Sequence, residues 1–185
     1  MKILRTSLLL ASMLLAACGS NVRPDRTQNP PPSEPLANFQ HFELAPLKTA
    51  PDAGENVEAV KSIDTHLKEK LGPLATSWSS STPGGRTLRI EPTIEQMKFV
   101  SVTSHIFAGP FAGSSGVVMN IRLVDADTGK LVAEPQFYQR TPGIAGAYGA
   151  DYGMLVRIAT VAEQYMQRNR QAAVGGPTGL DGTED

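Results

Sequence analysis

The strongest constraint on the fold is a run of alternating apolar residues in the second half of the chain. Every second residue from Val117 to Leu123 is large and apolar, which is the pattern of a β-strand that buries one face. The segment 125–130, Asp-Ala-Asp-Thr-Gly-Lys, then predicts a turn in which Gly129 takes a positive φ, and the segment 131–140 returns as a second strand. The two strands together predict a β-hairpin.

Two segments have the apolar period of an amphipathic helix. The first begins with the capping-box pattern of Asp52 and Glu55 and stops at Gly72-Pro73, and its apolar positions are Val57, Val60, Ile63, Leu67 and Leu71. The second begins at Asp151, which can cap it, and its apolar face comprises Met154, Leu155, Ile158, Ala162, Tyr165 and Met166.

Two further strands complete the pattern. The segment 39–44 is a short strand candidate, and Leu88, Ile90 and Ile94 share one parity in a segment that extends to residue 102. Pro92 lies within that segment and predicts an edge strand or a bulge, because proline cannot donate a hydrogen bond to a neighbouring strand. Because strands joined by short turns pair as neighbours, we predict an α+β domain in which an antiparallel sheet of about four strands has two helices packed on one face.

The first 17 residues predict a targeting segment that is removed from the mature protein. Lys2 and Arg5 form a positively charged start, and the apolar stretch 8–15 follows them. That stretch is too short for a permanent membrane-spanning helix, which needs about 20 residues. The segment 1–17 is therefore a predicted signal peptide.

The end of this segment carries a more specific motif. Leu15-Ala16-Ala17-Cys18 resembles the lipobox of bacterial lipoproteins, in which a lipidated cysteine becomes the first residue of the mature chain. The resemblance implies acylation of Cys18, and two or more acyl chains hold a protein on a membrane almost permanently. Gly19 stands where an aspartate would favour retention in the inner membrane, so the resemblance also favours the outer membrane. The competing interpretation is a buried, inert cysteine.

The rest of the mature chain divides into a tether, one domain and a tail. The segment 18–37 is polar and proline-rich, and an extended tether of this length could reach about 60 Å. The segment 171–185 contains several glycines and ends in acidic residues, which predicts a disordered tail. A single α+β domain is then expected over residues 38–170.

Composition excludes several classes of function. With 17 basic and 18 acidic residues the net charge is −1, which argues against a nucleic-acid partner. One cysteine cannot form an internal disulfide or a multi-thiolate zinc site. His41, His66 and His105 have no spacing typical of metal ligands. We therefore expect no metal, no cofactor and no catalytic residues.

Two local motifs fail their tests. The segment 125–136 departs from a calcium-binding loop because its glycine comes one residue early and its last position is Gln136. The glycines between Gly143 and Gly153 follow a strand and precede a helix, but they lack the spacing of a nucleotide-binding loop.

The loop 105–116 is the most informative segment without a regular period. Ser114 and Ser115 stand beside glycines there, which suggests a hydrolase loop, although the GxSxG spacing of a nucleophile elbow is absent. Ile106, Phe107 and Phe111 are large apolar residues in the same loop. They either plug the end of the sheet or form an exposed patch, and we place the candidate interaction surface on them.

The region from Leu88 to Asn169 also resembles a known family. The residues that carry the resemblance are Ile90-Glu91-Pro92-Thr93-Ile94, the run Gly-Pro-Phe-Ala-Gly-Ser-Ser from Gly109, and Asp125 to Gly129. They are similar to a family of small, uncharacterised lipoproteins of Gram-negative bacteria that share a domain of unknown function. The resemblance implies an α+β domain in the cell envelope and supplies no activity.

These observations predict an outer-membrane-anchored periplasmic lipoprotein that acts as a binding or assembly module. Its expected partners are the membrane, through the acyl chains on Cys18, and another envelope protein. The alternatives are an envelope hydrolase that uses the serine- and glycine-rich loop, and a carrier of a small ligand or lipid.

The anchor prediction can be tested by a single substitution. We expect Cys18→Ser to abolish membrane association and to leave the domain folded, because the mature chain has no other segment apolar enough to insert. Membrane fractionation and circular dichroism of the processed variant measure the two effects. A processed Cys18→Ser protein that stays in the membrane fraction contradicts the lipoprotein interpretation.

Overall fold

A six-stranded mixed sheet and two helices form the centre of the fold. The computed structural model describes residues 22–81, 83–99, 114–141 and 150–179. The strands are β1 (Gln28–Asn29), β2 (His41–Leu44), β3 (Lys48–Thr49), β4 (Thr87–Lys98), β5 (Ser115–Asp125), β6 (Leu131–Ala133), β7 (Gln136–Thr141) and β8 (Gly176–Pro177). The helices are α1 (Val57–Trp78) and α2 (Ala150–Arg168), and short 3-10 turns cover Leu36–Asn38 and Pro51–Ala53.

The α+β class and the two helices are confirmed, but the predicted sheet differs in its details. The strand order is β2-β4-β5-β6, β3 also pairs with β4, and β7 also pairs with β5. β2 and β3 run parallel to β4, whereas β5 is antiparallel to β4, β6 and β7. The sheet is therefore mixed rather than antiparallel. The reason is that α1 connects β3 to β4 as a crossover, and a crossover returns the chain in the same direction.

Pro92 explains why the edge of this sheet is divided into β2 and β3. It lies in the middle of β4, opposite Ile121 of β5, and is not in an edge strand. Ile90 and Ile94 lie two residues before and after Pro92, so their backbone groups point to the same side of β4. Their carbonyls accept hydrogen bonds from the backbone N–H groups of Ala45 and Ala50 in the edge chain. Pro92 has no N–H to donate to the edge chain at this point. The edge chain therefore leaves the sheet between Leu44, where β2 ends, and Lys48, where β3 begins.

Helix α1 begins and ends later than the sequence predicts. The side chain of Asn56 accepts a hydrogen bond from the backbone N–H of Ala59, so Asn56 is the N-cap rather than Asp52. The helix also continues through Pro73 to Trp78. Tertiary packing compensates for the lost hydrogen bond, because Trp78 stacks edge-on against Phe42 with ring centroids 5.4 Å apart.

The core lies between the sheet and the two helices. Buried residues at four-residue intervals line α1, and they face the even-numbered side chains of β4 and the buried face of α2. The apolar residues predicted for α2 are all buried. The fully buried side chains include Ile63, Leu67, Leu71, Leu88, Ile90, Ile94, Met119, Leu123, Phe137 and Met154.

Both chain segments outside the predicted domain belong to it where the structure describes them. β1 pairs antiparallel with β8, and the backbone N–H of Tyr138 in β7 donates to the carbonyl of Thr178 at 2.8 Å. The backbone N–H of Thr178 donates in turn to the carbonyl of Thr27 at 3.0 Å. β1 and β8 therefore form a separate two-stranded sheet, and Thr178 hydrogen-bonds this segment to β7. This differs from a tether over 18–37 and a disordered tail from residue 171.

Side chains fasten these two segments. Asn169 is fully buried, and its amide oxygen accepts hydrogen bonds from the backbone N–H groups of Val174 and Gly175 at 2.9 and 2.8 Å. In the N-terminal segment, Leu36 is fully buried in the core. These contacts satisfy backbone groups that an unstructured tail would leave to water, which is why residues 22–37 and 171–179 are part of the fold.

Gly175 provides a test of this arrangement. It has a φ of 73°, and a side chain there would overlap the carbonyl oxygen of Asn29. We expect Gly175→Ala to lower the melting temperature by more than Gly129→Ala. Gly129 is the matched control because its φ is 71° and no neighbouring atom lies within 4 Å of an added Cβ.

The backbone strain alone costs about 1–2 kcal/mol at either position. The additional loss at Gly175 measures how tightly the C-terminal segment is seated against Asn29. Equal melting temperatures for the two variants would contradict the proposed seating.

Candidate functional site

The described residues do not assemble a metal site. They contain no group of three or more His, Cys, Asp or Glu side chains that could hold a metal ion. His41 contacts the carbonyl oxygen of Gly84 at 2.8 Å, and His66 contacts the carboxylate of Glu69 at 3.0 Å. His105 lies outside the described residues. The two described histidines therefore have separate, local partners.

The serine- and glycine-rich loop is described only at its end. Ser115 begins β5 and is buried, with 4% of its surface exposed, while Ser114 precedes the strand and is half-buried. A serine nucleophile must reach a bound substrate, and a buried strand position restricts such access. Of the glycines between Gly143 and Gly153, only Gly153 is described, and it lies within α2.

The segment from Asp125 to Gly129 forms the predicted turn. The carboxylate of Asp125 accepts hydrogen bonds from the backbone N–H groups of Asp127 and Thr128 at 3.0 and 3.1 Å. Gly129 has the expected positive φ, and its N–H donates to the Asp125 carbonyl. Asp125 is therefore a turn residue that organises the β5–β6 connection.

Asp125 also belongs to an ion-pair cluster that the sequence does not reveal. The Arg86 guanidinium donates two hydrogen bonds to the Glu34 carboxylate, at 2.8 and 2.7 Å, and two to Asp125, at 3.0 and 2.7 Å. It also lies 4.3 Å from the ring centroid of Phe39. We call Glu34, Arg86 and Asp125 the arginine cluster.

The arginine cluster fixes the charge state of its members. The hydrogen bonds from Arg86, with a further one from Asn38, lower the pKa of Glu34 to about 2. Arg86 and the backbone N–H groups of the turn also lower the pKa of Asp125. The cluster joins the N-terminal segment to the end of the sheet where β4 begins and β5 finishes. One guanidinium therefore bridges two carboxylates and links residue 34 to the turn after β5.

The first described residue, Val22, lies at the end of the sheet opposite to the arginine cluster. Val22 lies beside β5, because a Cβ placed on Gly116 would be 3.2 Å from the Val22 Cβ. Three residues further on, the backbone N–H of Asp25 donates to the side chain of Gln136 at 2.6 Å. The N-terminal segment therefore crosses β7 from this end.

We call this end of the domain the anchor end. There β4 and β7 finish and β5 begins, with Lys98 opposite Gly116 and Ser115 opposite Thr141. Helix α1 also starts there. Val57 of α1 lines an open groove with Met97, and Arg157 of α2 donates to the carbonyl of Arg140 at 3.1 Å.

The groove at the anchor end has a volume of about 490 Å³. Three charged residues, Glu55, Glu58 and Lys98, line it together with Ala53, Asn56, Val57, Met97 and Phe99. A carrier of acyl chains requires a mainly apolar cavity, because burying charged groups beside a hydrocarbon chain is unfavourable. This lining does not favour the lipid-carrier alternative.

The residues predicted as functional lie outside the described part of the chain. These are Cys18 and the candidate interaction surface of Ile106, Phe107 and Phe111. The described residues that flank them lie at the anchor end. Val22 is four positions after Cys18, and Phe99 and Ser114 bracket the segment that holds the three apolar residues.

Comparison with known proteins yields similarity of fold alone. No protein-family model matches the sequence, and no curated protein matches it. The PelC dodecamer from Paraburkholderia phytofirmans is 13% identical, with 78% of this chain and 95% of that chain covered and a TM-score of 0.47. Lipoprotein GNA1162 from Neisseria meningitidis is 14% identical, with coverage of 67% and 96% and a TM-score of 0.38.

A DUF330 protein from Xanthomonas campestris is also 14% identical, with coverage of 71% and 86% and a TM-score of 0.37. The solved structures to which this chain is similar include lipoproteins of Gram-negative bacteria. The specific family suggested by residues 88–169 stays a prediction. In the part of the chain that the structure describes, neither helix is long and apolar enough to cross a membrane.

The arginine cluster predicts a characteristic pH dependence. The folded state lowers the pKa of Glu34 from 4.5 to about 2, so the cluster stabilises the fold above about pH 4.5. This stabilisation is lost as the pH falls from about 4.5 to about 2, and the lowered pKa of Asp125 acts in the same direction. We expect Arg86→Gln to lower the melting temperature by several degrees at neutral pH.

Arg86→Gln should also make the melting temperature fall less steeply as the pH decreases from about 4.5 to about 2. Thermal melts of wild type and Arg86→Gln from neutral pH to about pH 2 measure this difference. Lys68→Gln is the control, because Lys68 pairs with Asp64 on the exposed surface of α1, where an ion pair contributes little. Parallel acid limbs for wild type and Arg86→Gln would contradict the assignment.

Proposed function

We propose that the protein is an envelope lipoprotein, anchored in the outer membrane through Cys18, that acts as a non-catalytic binding or assembly module. The observation that carries the proposal is the short connection between the lipobox and the fold. Only three residues, 19–21, separate Cys18 from Val22, which packs on the sheet. An anchor on Cys18 therefore holds the domain at the membrane surface rather than at the end of a long tether.

The contacts of the proline-rich segment support this short connection. The hydroxyl of Tyr165 in α2 donates to the carbonyl of Pro30 at 3.1 Å, and the backbone N–H of Ser33 donates to the carbonyl of Val132 in β6 at 2.8 Å. Residues 22–37 therefore lie along the surface of the domain and are held there by hydrogen bonds. They are not available to extend about 60 Å from the membrane, as an isolated proline-rich chain of this length could.

The interaction surface is proposed on Ile106, Phe107 and Phe111, in the segment between Phe99 and Ser114. Phe99 packs against the core at one end of that segment, and Ser114 leads into β5 at the other. A partner that binds this surface would itself lie at the membrane. We therefore propose another envelope protein as the partner, and the absence of catalysis is part of the same proposal.

The proposal is tested by the double substitution Phe107→Ser with Phe111→Ser. We expect the melting temperature to stay close to that of wild type, because exposed contacts contribute to association rather than to folding. Affinity capture from detergent-solubilised membranes, quantified by mass spectrometry, should lose the proteins that wild type retains. Truncating two core plugs would instead cost several kcal/mol and unfold much of the protein.

Leu131→Ser is the matched control, because Leu131 is 42% exposed at the end of the sheet remote from the anchor. This variant should retain the captured proteins. Marked unfolding of the double variant, or equal capture by wild type and both variants, would contradict the proposed interaction surface.

A further inference from the structure

A polar groove lies on the flank of α1, beside the first turn of α2. Its volume is about 280 Å³, and every residue that lines it belongs to the described part of the chain. Near the middle of α1, the ring of His66 packs edge-on against the ring of Tyr152 in α2, with centroids 5.5 Å apart. The other lining side chains are all polar or charged and all belong to α1: Glu58, Lys61, Ser62, Thr65 and Glu69. We call this site the flank groove.

Helical spacing brings the polar side chains of α1 into one row. Positions 58, 62, 65 and 69 are four, three and four residues apart, which places them on one face of the helix. From the first to the last of these positions the helix rises about 16 Å. The row is therefore long enough to contact an extended polar ligand.

His66 forms the floor of the flank groove and is held in one orientation. Only 13% of its side chain is exposed, whereas 62% of the Glu69 side chain is exposed. The Nδ1 atom of His66 lies 3.0 Å from a carboxylate oxygen of Glu69, so a neutral imidazole donates there through Nδ1–H. Its Nε2 atom is then an acceptor, and no hydrogen bond from a described residue occupies it.

Tyr152 supplies the apolar surface of the flank groove. Its side chain is 59% exposed although its ring packs on His66, so most of the ring surface is open to a ligand. A tyrosine ring is a rigid apolar face, and its hydroxyl adds hydrogen-bonding capacity at the edge. Such a ring suits a ligand that combines a weakly apolar face with polar groups.

The charges of the flank groove decide which class of ligand fits. Glu58 and Glu69 stand at the two ends of the row and Lys61 lies between them, so an ion of either sign would lie beside a like charge. An acyl chain is disfavoured, because it would bury these charged groups against hydrocarbon. A neutral ligand with several hydroxyl groups suits both signs, since each hydroxyl donates and accepts hydrogen bonds.

We infer that the flank groove binds a neutral oligosaccharide. One pyranose ring stacks its C–H face on the ring of Tyr152, and its hydroxyl groups bind the polar row of α1. No described residue hydrogen-bonds to the hydroxyl of Ser62, so that hydroxyl is available to the sugar. The Thr65 hydroxyl donates to the carbonyl of Lys61 at 2.9 Å and keeps its capacity to accept. A further sugar hydroxyl donates to Nε2 of His66.

Saturation-transfer NMR on the full-length protein in a sugar-free detergent tests this inference. The probes are chitotetraose, cellotetraose and maltotetraose, with the anionic tetragalacturonate as the charged counterpart. We expect saturation of the ring protons of at least one neutral tetrasaccharide, and none for tetragalacturonate. Absence of transfer to all three neutral probes, or equal transfer to the anionic one, overturns the inference. The site lies outside the proposed anchor and interaction surface, so its failure leaves the proposed function in place.

Substitutions of Tyr152 locate the binding site. We expect Tyr152→Ala to weaken binding of the neutral tetrasaccharide about tenfold, because it removes the stacking face, whereas Tyr152→Phe retains the ring and most of the affinity. Leu131→Ala is the matched control, because Leu131 is 42% exposed in β6 and does not line the groove. Circular dichroism verifies that each variant is folded. Equal affinity of wild type and Tyr152→Ala, or a comparable loss in Leu131→Ala, contradicts binding at the flank groove.

Discussion

Closure of the β7 edge by the two ends of the chain is the constraint on which the rest of the structure depends. An open strand edge presents unpaired N–H and C=O groups that pair readily with other chains. Here Asn29 binds the backbone of Gln136 reciprocally, donating from its amide to the carbonyl and accepting from the N–H, each at 2.8 Å. Thr178 continues the closure at Tyr138. The edge is closed by residues 27–29 and 176–178, and the described part of the same N-terminal segment begins at Val22, beside Gly116 of β5.

The arginine cluster and the edge closure act on the same N-terminal segment at different points. Glu34 is held by Arg86 near the end of the domain remote from the anchor, and Asn29 is held at β7. A segment fixed at both points cannot serve as a loose spacer. With Cys18 acylated as proposed, this segment would hold the domain close to the membrane. An assembly module held there would lose less freedom on binding a partner at the membrane surface.

Sequence patterns predicted the elements better than their arrangement. The alternation from Val117 to Leu123 located β5. The apolar period located the buried face of α2 and, from Ile63 onwards, that of α1, whereas Val57 is exposed. The parallel pairing of β2 and β3 with β4 was missed, because strand direction depends on where a connecting helix crosses the sheet. The arginine cluster was also missed, since Glu34 and Arg86 are 52 residues apart and no local pattern marks such a pair. The prolines of residues 30–35 indicated an extended chain but not the surface on which it lies.

The sequence by itself determined the α+β class, the two amphipathic helices, the β5 strand with its turn, and the lipobox that predicts a membrane anchor. Each of these depends on local periodicity or on a short motif, so neighbouring residues carry the whole signal. Tertiary structure decided the mixed sheet, the divided edge opposite Pro92, the arginine cluster, and the inclusion of residues 22–37 and 171–179 in the domain. These features depend on hydrogen bonds and ion pairs between residues far apart in the chain. Their partners are specified only when the folded backbone brings unsatisfied polar groups together.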